Sequence, residues 1–280
     1  MKRLHTLSRW TGIALLSLLA ACQNTPTQAD PNAGEAAVSR ALSGKALWEE
    51  KCRTVAGEKI YRKVENVEGL LLMKVRPARG DRELADRMWT GAAFARESRA
   101  DEFITTFLGY EEGGTALGGT PTPVTPMYRG SINTNRNPGG LPGYRWVEVI
   151  DEKDGQRYRY TGRYDEPWKT DSSYSKSYVR FNLDKTPASG PSPRYGVTYE
   201  DHVIPEDRNL GIASSTVKVI DLNTNEVLGE MTRYAWSPGA PSRVNPSPWL
   251  TAYRCPDHAR GTNAATRKFV DQILIPAKEK

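Results

Sequence analysis

The chain has 280 residues, 38% of them hydrophobic and 26% charged, enough apolar mass for one sizeable core or two small ones. Its 13 Tyr and 7 Trp offer large faces to bury, which excludes disorder throughout. The formal net charge is +6, and no stretch reaches the roughly 20 apolar residues of a membrane-spanning helix, which excludes a polytopic membrane protein.

At the N-terminus, Lys2, Arg3 and Arg9 precede a short apolar run, Ile13 to Leu19, followed by small residues and a cysteine, the pattern of an export signal. The junction Leu19-Ala20-Ala21-Cys22 resembles the lipobox of bacterial lipoproteins. The resemblance covers the first two dozen residues. It implies removal of a signal peptide at residues 1–21, a diacylated thiol and acylated amine on Cys22, and a bacterial envelope location. Gln23 and Asn24 follow the cysteine where an Asp would retain a lipoprotein in the inner membrane, so the resemblance implies the outer membrane, with the protein facing the periplasm. Several acyl chains on one residue anchor far more firmly than one, because each buried methylene adds about 0.8 kcal/mol. Residues 22–33 read as a polar tether, and 34–280 as a single α+β domain. Loss of residues 1–21 lowers the formal charge to +3. With no dense Lys/Arg patch expected, nucleic acid is not an expected partner.

With Cys22 carrying lipid, Cys52 and Cys255 are the two remaining thiols, and in an oxidising compartment they are expected to form a disulfide. The alternatives are two buried free thiols or a reactive cysteine, the latter lacking a histidine placed to activate it.

Residues 34–50 space their apolar side chains loosely on one helical face, interrupted by Gly44, and predict a short helix leading into Cys52. The run Leu70 to Val75, between Gly69 and Pro77, predicts a buried strand with a partner around Lys59 to Val64. Asp81 is a candidate cap for a helix over 82–89, and a second helix is expected over Ala100 to Leu108. Residues 109–143 carry paired glycines and clustered prolines and read as a long loop, open to three readings: binding loop, linker or surface excursion. From Tyr144 the pattern is strand-like: a hairpin about Asp154-Gly155, with Ile150 opposite Arg159 and Trp146 opposite Arg163, then strands at 177–183, 194–200 and 216–222. The segment 217–236 reads as a second hairpin with Asn225 in the left-handed turn position. A proline-rich connection follows, and then a terminal helix capped by Thr262 or Asn263, with Phe269, Val270, Ile273 and Leu274 as its apolar face. The fold class expected is α+β, a predominantly antiparallel β-sheet or sandwich with short flanking helices.

The chain has no G-x-S-x-G, H-E-x-x-H, P-loop or G-x-G-x-x-G motif. Only His202 and His258 remain after processing. No cofactor and no metal are expected. Both histidines follow an aspartate, but adjacent residues of a strand face opposite ways. Glu111, Glu112, Asp165, Glu166, Glu200 and Asp201 are the acids that a cell-wall hydrolase could use, with no spacing that sets them across a cleft. The strand RYRYTGRYDEPW places Arg157, Arg159 and Arg163 on one face and Tyr158, Tyr160 and Tyr164 on the other. That arginine row could hold phosphate or carboxylate groups. Alternatively Glu148 and Glu152 neutralise it and Trp146 stacks on Arg163. Tyr128, Trp168, Tyr174, Trp236 and Trp249, all near loops, form either a contact patch or the edges of the core. The reading that follows is a lipid-anchored binding or scaffold protein of the outer membrane. It touches the membrane through its anchor and takes an envelope protein or glycan as partner, with Arg157, Arg159, Arg163, Tyr128 and Trp168 as candidate contacts. An immunity lipoprotein that neutralises a periplasmic toxin, a cell-wall hydrolase and a passive structural component are the rivals.

Overall fold

The computed structural model describes residues 31–111, 132–134, 140–256 and 262–278. The lipobox, Cys22, most of the tether, Glu112, Tyr128 and the Asp257-His258 pair lie outside them, as does most of the 109–143 segment. The elements in chain order begin with α1 (Pro31–Thr54), β1 (Gly57–Ile60), β2 (Val64–Val67), β3 (Gly69–Leu72), α2 (Asp81–Ala85), a 3-10 turn (Thr90–Phe94) and α3 (Ala100–Leu108). Then come β4 (Tyr110–Glu111), β5 (Ile132–Asn133), β6 (Trp146–Ile150), β7 (Arg157–Asp165), β8 (Arg180–Pro187), β9 (Tyr195–His202), α4 (Pro205–Asn209), β10 (Ile212–Asp221) and β11 (Glu226–Trp236). The last are α5 (Pro248–Thr251), β12 (Tyr253–Cys255), α6 (Ala265–Val270) and β13 (Leu274–Pro276). No described helix is long and apolar enough to cross a membrane.

The architecture is mixed, with few helices around one large, mostly antiparallel sheet in the order β1-β11-β10-β9-β3-β6-β7-β8, to which β12 adds beside β1 on the edge of β11. Strand alternation gives the sheet two different faces. Ala213, Val217 and Val219 of β10 and Met231 and Ala235 of β11 face the main core, which also holds Phe94, Phe103, Phe107, Phe269 and Val270. Ile212, Tyr234 and Trp236 face the other way and meet Leu47 and Trp48 of α1. Helices therefore cover parts of both faces.

The disulfide forms as expected: Cys52 at the end of α1 is bonded to Cys255 of β12, with the Cα atoms 5.6 Å apart. Helix α1 is longer than the sequence suggests and runs through Gly44 without a break. There the helix lies so close to the sheet that a Cβ would sit 2.4 Å from the Leu210 carbonyl oxygen and 2.9 Å from Trp236 Nε1. Helix α3 spans the expected residues, and Asn225 takes a φ of 58° in the β10–β11 turn.

Four expectations need correction. Strand β3 does not pair with 59–64; it runs parallel to β6 and to β9, because only Glu68 separates it from β2 and leaves no room for a turn. Its four residues are all buried, as suits a strand covered on both faces. Residues 57–60 pair with β11 instead, and 64–67 with β13. The β6–β7 register is displaced by two residues, with Ile150 opposite Arg157 and Glu148 opposite Arg159. Asp151 and Asp154 accept hydrogen bonds from the Lys153 and Gln156 amides, and these Asx turns end the ladder early. The helix expected over 82–89 stops at Ala85, with Gly80 at its cap and Asp81 inside it. The terminal helix stops at Val270, and Leu274 belongs to β13, although Phe269, Val270, Ile273 and Leu274 are all buried.

Candidate functional site

The β7–β8 hairpin carries most of the described binding candidates. Its inner end is charge-compensated. The buried Glu148 carboxylate takes Arg157 at 2.8 Å and Arg159 at 2.8 Å, and the Arg157 Nη2 also donates to the Gly190 carbonyl at 2.6 Å. Because of the displaced register, Trp146 stacks on Arg159 (4.3 Å) and not on Arg163. Arg163 instead pairs with Asp184 across the hairpin at 3.0 Å. Each arginine of the row thus has a carboxylate, and the row is not a bare cationic face. On the opposite face Lys185 lies 4.0 Å over the Tyr158 ring. Its hydrogen bond to Asp151 raises the ammonium and lowers the carboxyl. The Tyr158 hydroxyl donates to Asp154 at 2.7 Å, and that bond raises the phenol above its ordinary value.

The outer end of the hairpin has a different chemistry. Between β7 and β8 the chain makes a 3-10 turn at Pro167–Lys169, places Lys169 over the Trp168 ring at 5.6 Å, and continues through an exposed Ser/Tyr segment. Tyr174 and Tyr178 stack there with ring centroids 5.7 Å apart and planes 1° from parallel. They remain 38% and 44% exposed, and Val179 beside them is 44% exposed. Arg180 clamps the base of this tip by a two-pronged hydrogen bond to Asp165, which holds that carboxyl below its usual range. Among the described residues β8 has a neighbour on one side only, so it ends the sheet with an open row of backbone groups.

The other aromatics of the expected patch belong to the core. Trp236 stacks between Trp48 and Tyr253, and Trp249 is buried with its Nε1 donating to the Asp86 carbonyl at 2.7 Å. The described acids do not form a matched pair. Glu111 is buried in a bridge to Leu141, Asp165 holds Arg180, Glu166 pairs with Lys169, and Asp201 pairs with Arg76. Glu200 lies on the other side of the strand from Asp201, 3.9 Å from His202 Nδ1. The His202 Nε2 shares a hydrogen bond with Thr216. No group of three metal-ligating side chains occurs among the described residues.

Sequence reasoning missed a buried polar layer under the 3-10 turn. Asp201, Ser215 and Arg233 stand in register across β9, β10 and β11. Against them lie Arg76, ion-paired to Glu97 and Asp201 and stacked 4.1 Å from both Phe94 and Tyr199, and the fully buried Arg208. The available signal was local arginine density, since six arginines fall between Arg76 and Arg99. Comparison of the chain with family models, curated proteins and solved structures returned no match.

Proposed function

We propose that this protein is held at the periplasmic face of the outer membrane by lipid on Cys22 and acts by binding an envelope protein through the β7–β8 hairpin. The observation that carries the reading is the stacked, half-exposed Tyr174–Tyr178 pair beside an open edge strand. Aromatic side chains give large contact area at low entropic cost and dominate interface hot spots. An unpaired strand adds backbone hydrogen bonds for an extended partner segment. The compensated arginines at the hairpin base support a positioning role for that end, with recognition at the tip.

The anchor rests on the lipobox resemblance, and the disulfide fits an oxidising compartment. Two experiments test the reading. In living cells, a photo-crosslinker at Ser175 should capture one reproducible envelope protein, and Tyr174→Ala with Tyr178→Ala should abolish the capture while leaving the thermal midpoint unchanged. Capture that survives both substitutions places recognition elsewhere. Cys22→Ala should move the protein from the membrane to the soluble fraction; retention in the membrane fraction would sink the anchor.

A further inference from the structure

A concavity lies apart from the hairpin, where the loop after β3 meets the start of α3. It encloses about 680 Å³ and is lined by Arg79, Arg96, Glu97, Arg99, Asp101 and Glu102, among others, a size usual for small-molecule sites. Each arginine is fixed at one corner by a backbone carbonyl. Arg79 Nε donates to Ala95 (3.0 Å), Arg96 Nε to Leu250 (2.7 Å), and Arg99 Nη2 to Phe94 (2.8 Å) and Gly91 (3.3 Å). Among the described residues none of the three has a carboxylate partner. Glu97 is engaged by Arg76 and by the Thr266 amide (2.6 Å) and hydroxyl (3.0 Å).

Arg99 is the buried member of the set. It is 9% exposed, stacks 5.0 Å from Trp89, and has no partner for its Nε. Burial, with Arg76 and Arg79 close by, lowers it to about 10, and the charges of Glu97 and Asp201 offset part of that, so it is charged at neutral pH. The lining also takes in Asp101 and Glu102, which are exposed on the first turn of α3. A polyanion would be repelled there, whereas a protonated amine would be held.

We propose that this cavity binds a small zwitterion of the amino-acid or short-peptide class, its carboxylate on Arg79, Arg96 and Arg99 and its ammonium on Asp101 and Glu102. Guanidinium groups fixed in advance meet a carboxylate with charge-assisted hydrogen bonds and little loss of side-chain freedom. The ligand is separate from the hairpin's partner.

Calorimetric titration of the purified chain with tri-alanine, its C-terminal amide, its N-acetyl form and phosphoethanolamine tests the assignment. Tri-alanine should bind, the amide should bind at least about tenfold more weakly, and the acetyl form should also lose affinity. Arg79→Gln with Arg96→Gln should weaken tri-alanine about tenfold or more while leaving the already weak binding of the amide unchanged, alongside a small fall in melting temperature from the lost bonds to Ala95 and Leu250. Arg99→Gln should do the same where it folds. Equal binding of tri-alanine and its amide, or no binding at millimolar concentration, overturns the proposal. Phosphoethanolamine binding in place of tri-alanine overturns the peptide assignment in favour of a lipid headgroup.

Discussion

Arg76, Glu97, Arg208 and Arg267 are each no more than 1% exposed, and a charge so far from water is tolerated only with a partner and satisfied hydrogen bonds. Arg76 and Glu97 supply this for one another, with Thr266 completing the carboxylate and the Phe94 and Tyr199 rings sandwiching the guanidinium. Removing Glu97 leaves the buried Arg76 with only its longer pairing to Asp201 at 3.3 Å, so Glu97→Ala should cost about 3 kcal/mol in urea denaturation. Asp221 sets an acid limit. Hydrogen bonds from Arg194, and then from the Asn223 amide and Arg62, hold its carboxyl below the usual range despite burial. The folded protein therefore binds this proton less readily than the unfolded chain. The stabilisation is complete above the unfolded carboxyl value, near pH 4, and is lost as pH falls through the folded one. Asp221→Asn should flatten the decline in urea midpoint between about pH 5 and pH 2. These residues were not legible in the sequence, because a charged side chain in a polar segment reads as solvated and only the folded register brings Asp201, Ser215 and Arg233 into one row.

Helix α1 shows how an element depends on one residue. Exchanging Gly for Ala inside a helix normally stabilises it by up to about 1 kcal/mol. At Gly44 the added methyl would collide with the Leu210 backbone oxygen, an atom that cannot swing aside. Gly44→Ala should therefore destabilise by about 1–3 kcal/mol, read as a lower thermal midpoint. A second close approach joins three strands: the Trp146 indole lies flat over Gly69 on β3, and Arg159 of β7 lies over the same indole. Elements with local signals were legible. The apolar spacing of α3 and the turn chemistry around Asn225 are written within a few residues, and both formed as read. The partner of β3 was not, since parallel pairing joins distant segments and leaves no turn signature. The β6–β7 register turned on two aspartate side chains capturing amides in the loop. For the candidate site, the tyrosine and tryptophan positions were legible, but not their burial. Alternation alone could not separate Tyr174 at the exposed tip from Trp249 in the core.

For the whole molecule, the disulfide ties together segments 203 residues apart. Cross-linking a loop of that length removes enough freedom from the unfolded chain to contribute about 5 kcal/mol at most in the chain-entropy model. Cys52→Ser with Cys255→Ser should lower the urea midpoint with little change in the far-ultraviolet spectrum, because the Trp48–Trp236–Tyr253 stack still seats α1 on the sheet. The same bridge has a mechanical and proteolytic consequence. A pull applied at the start of α1 reaches β12 through Cys52 as well as β1 through the chain, so the load is divided between two short strands on the same edge of β11 and neither can be peeled off alone. Likewise, one protease cut anywhere between the two cysteines, the exposed 171–179 tip included, leaves two pieces that stay covalently joined until the bond is reduced.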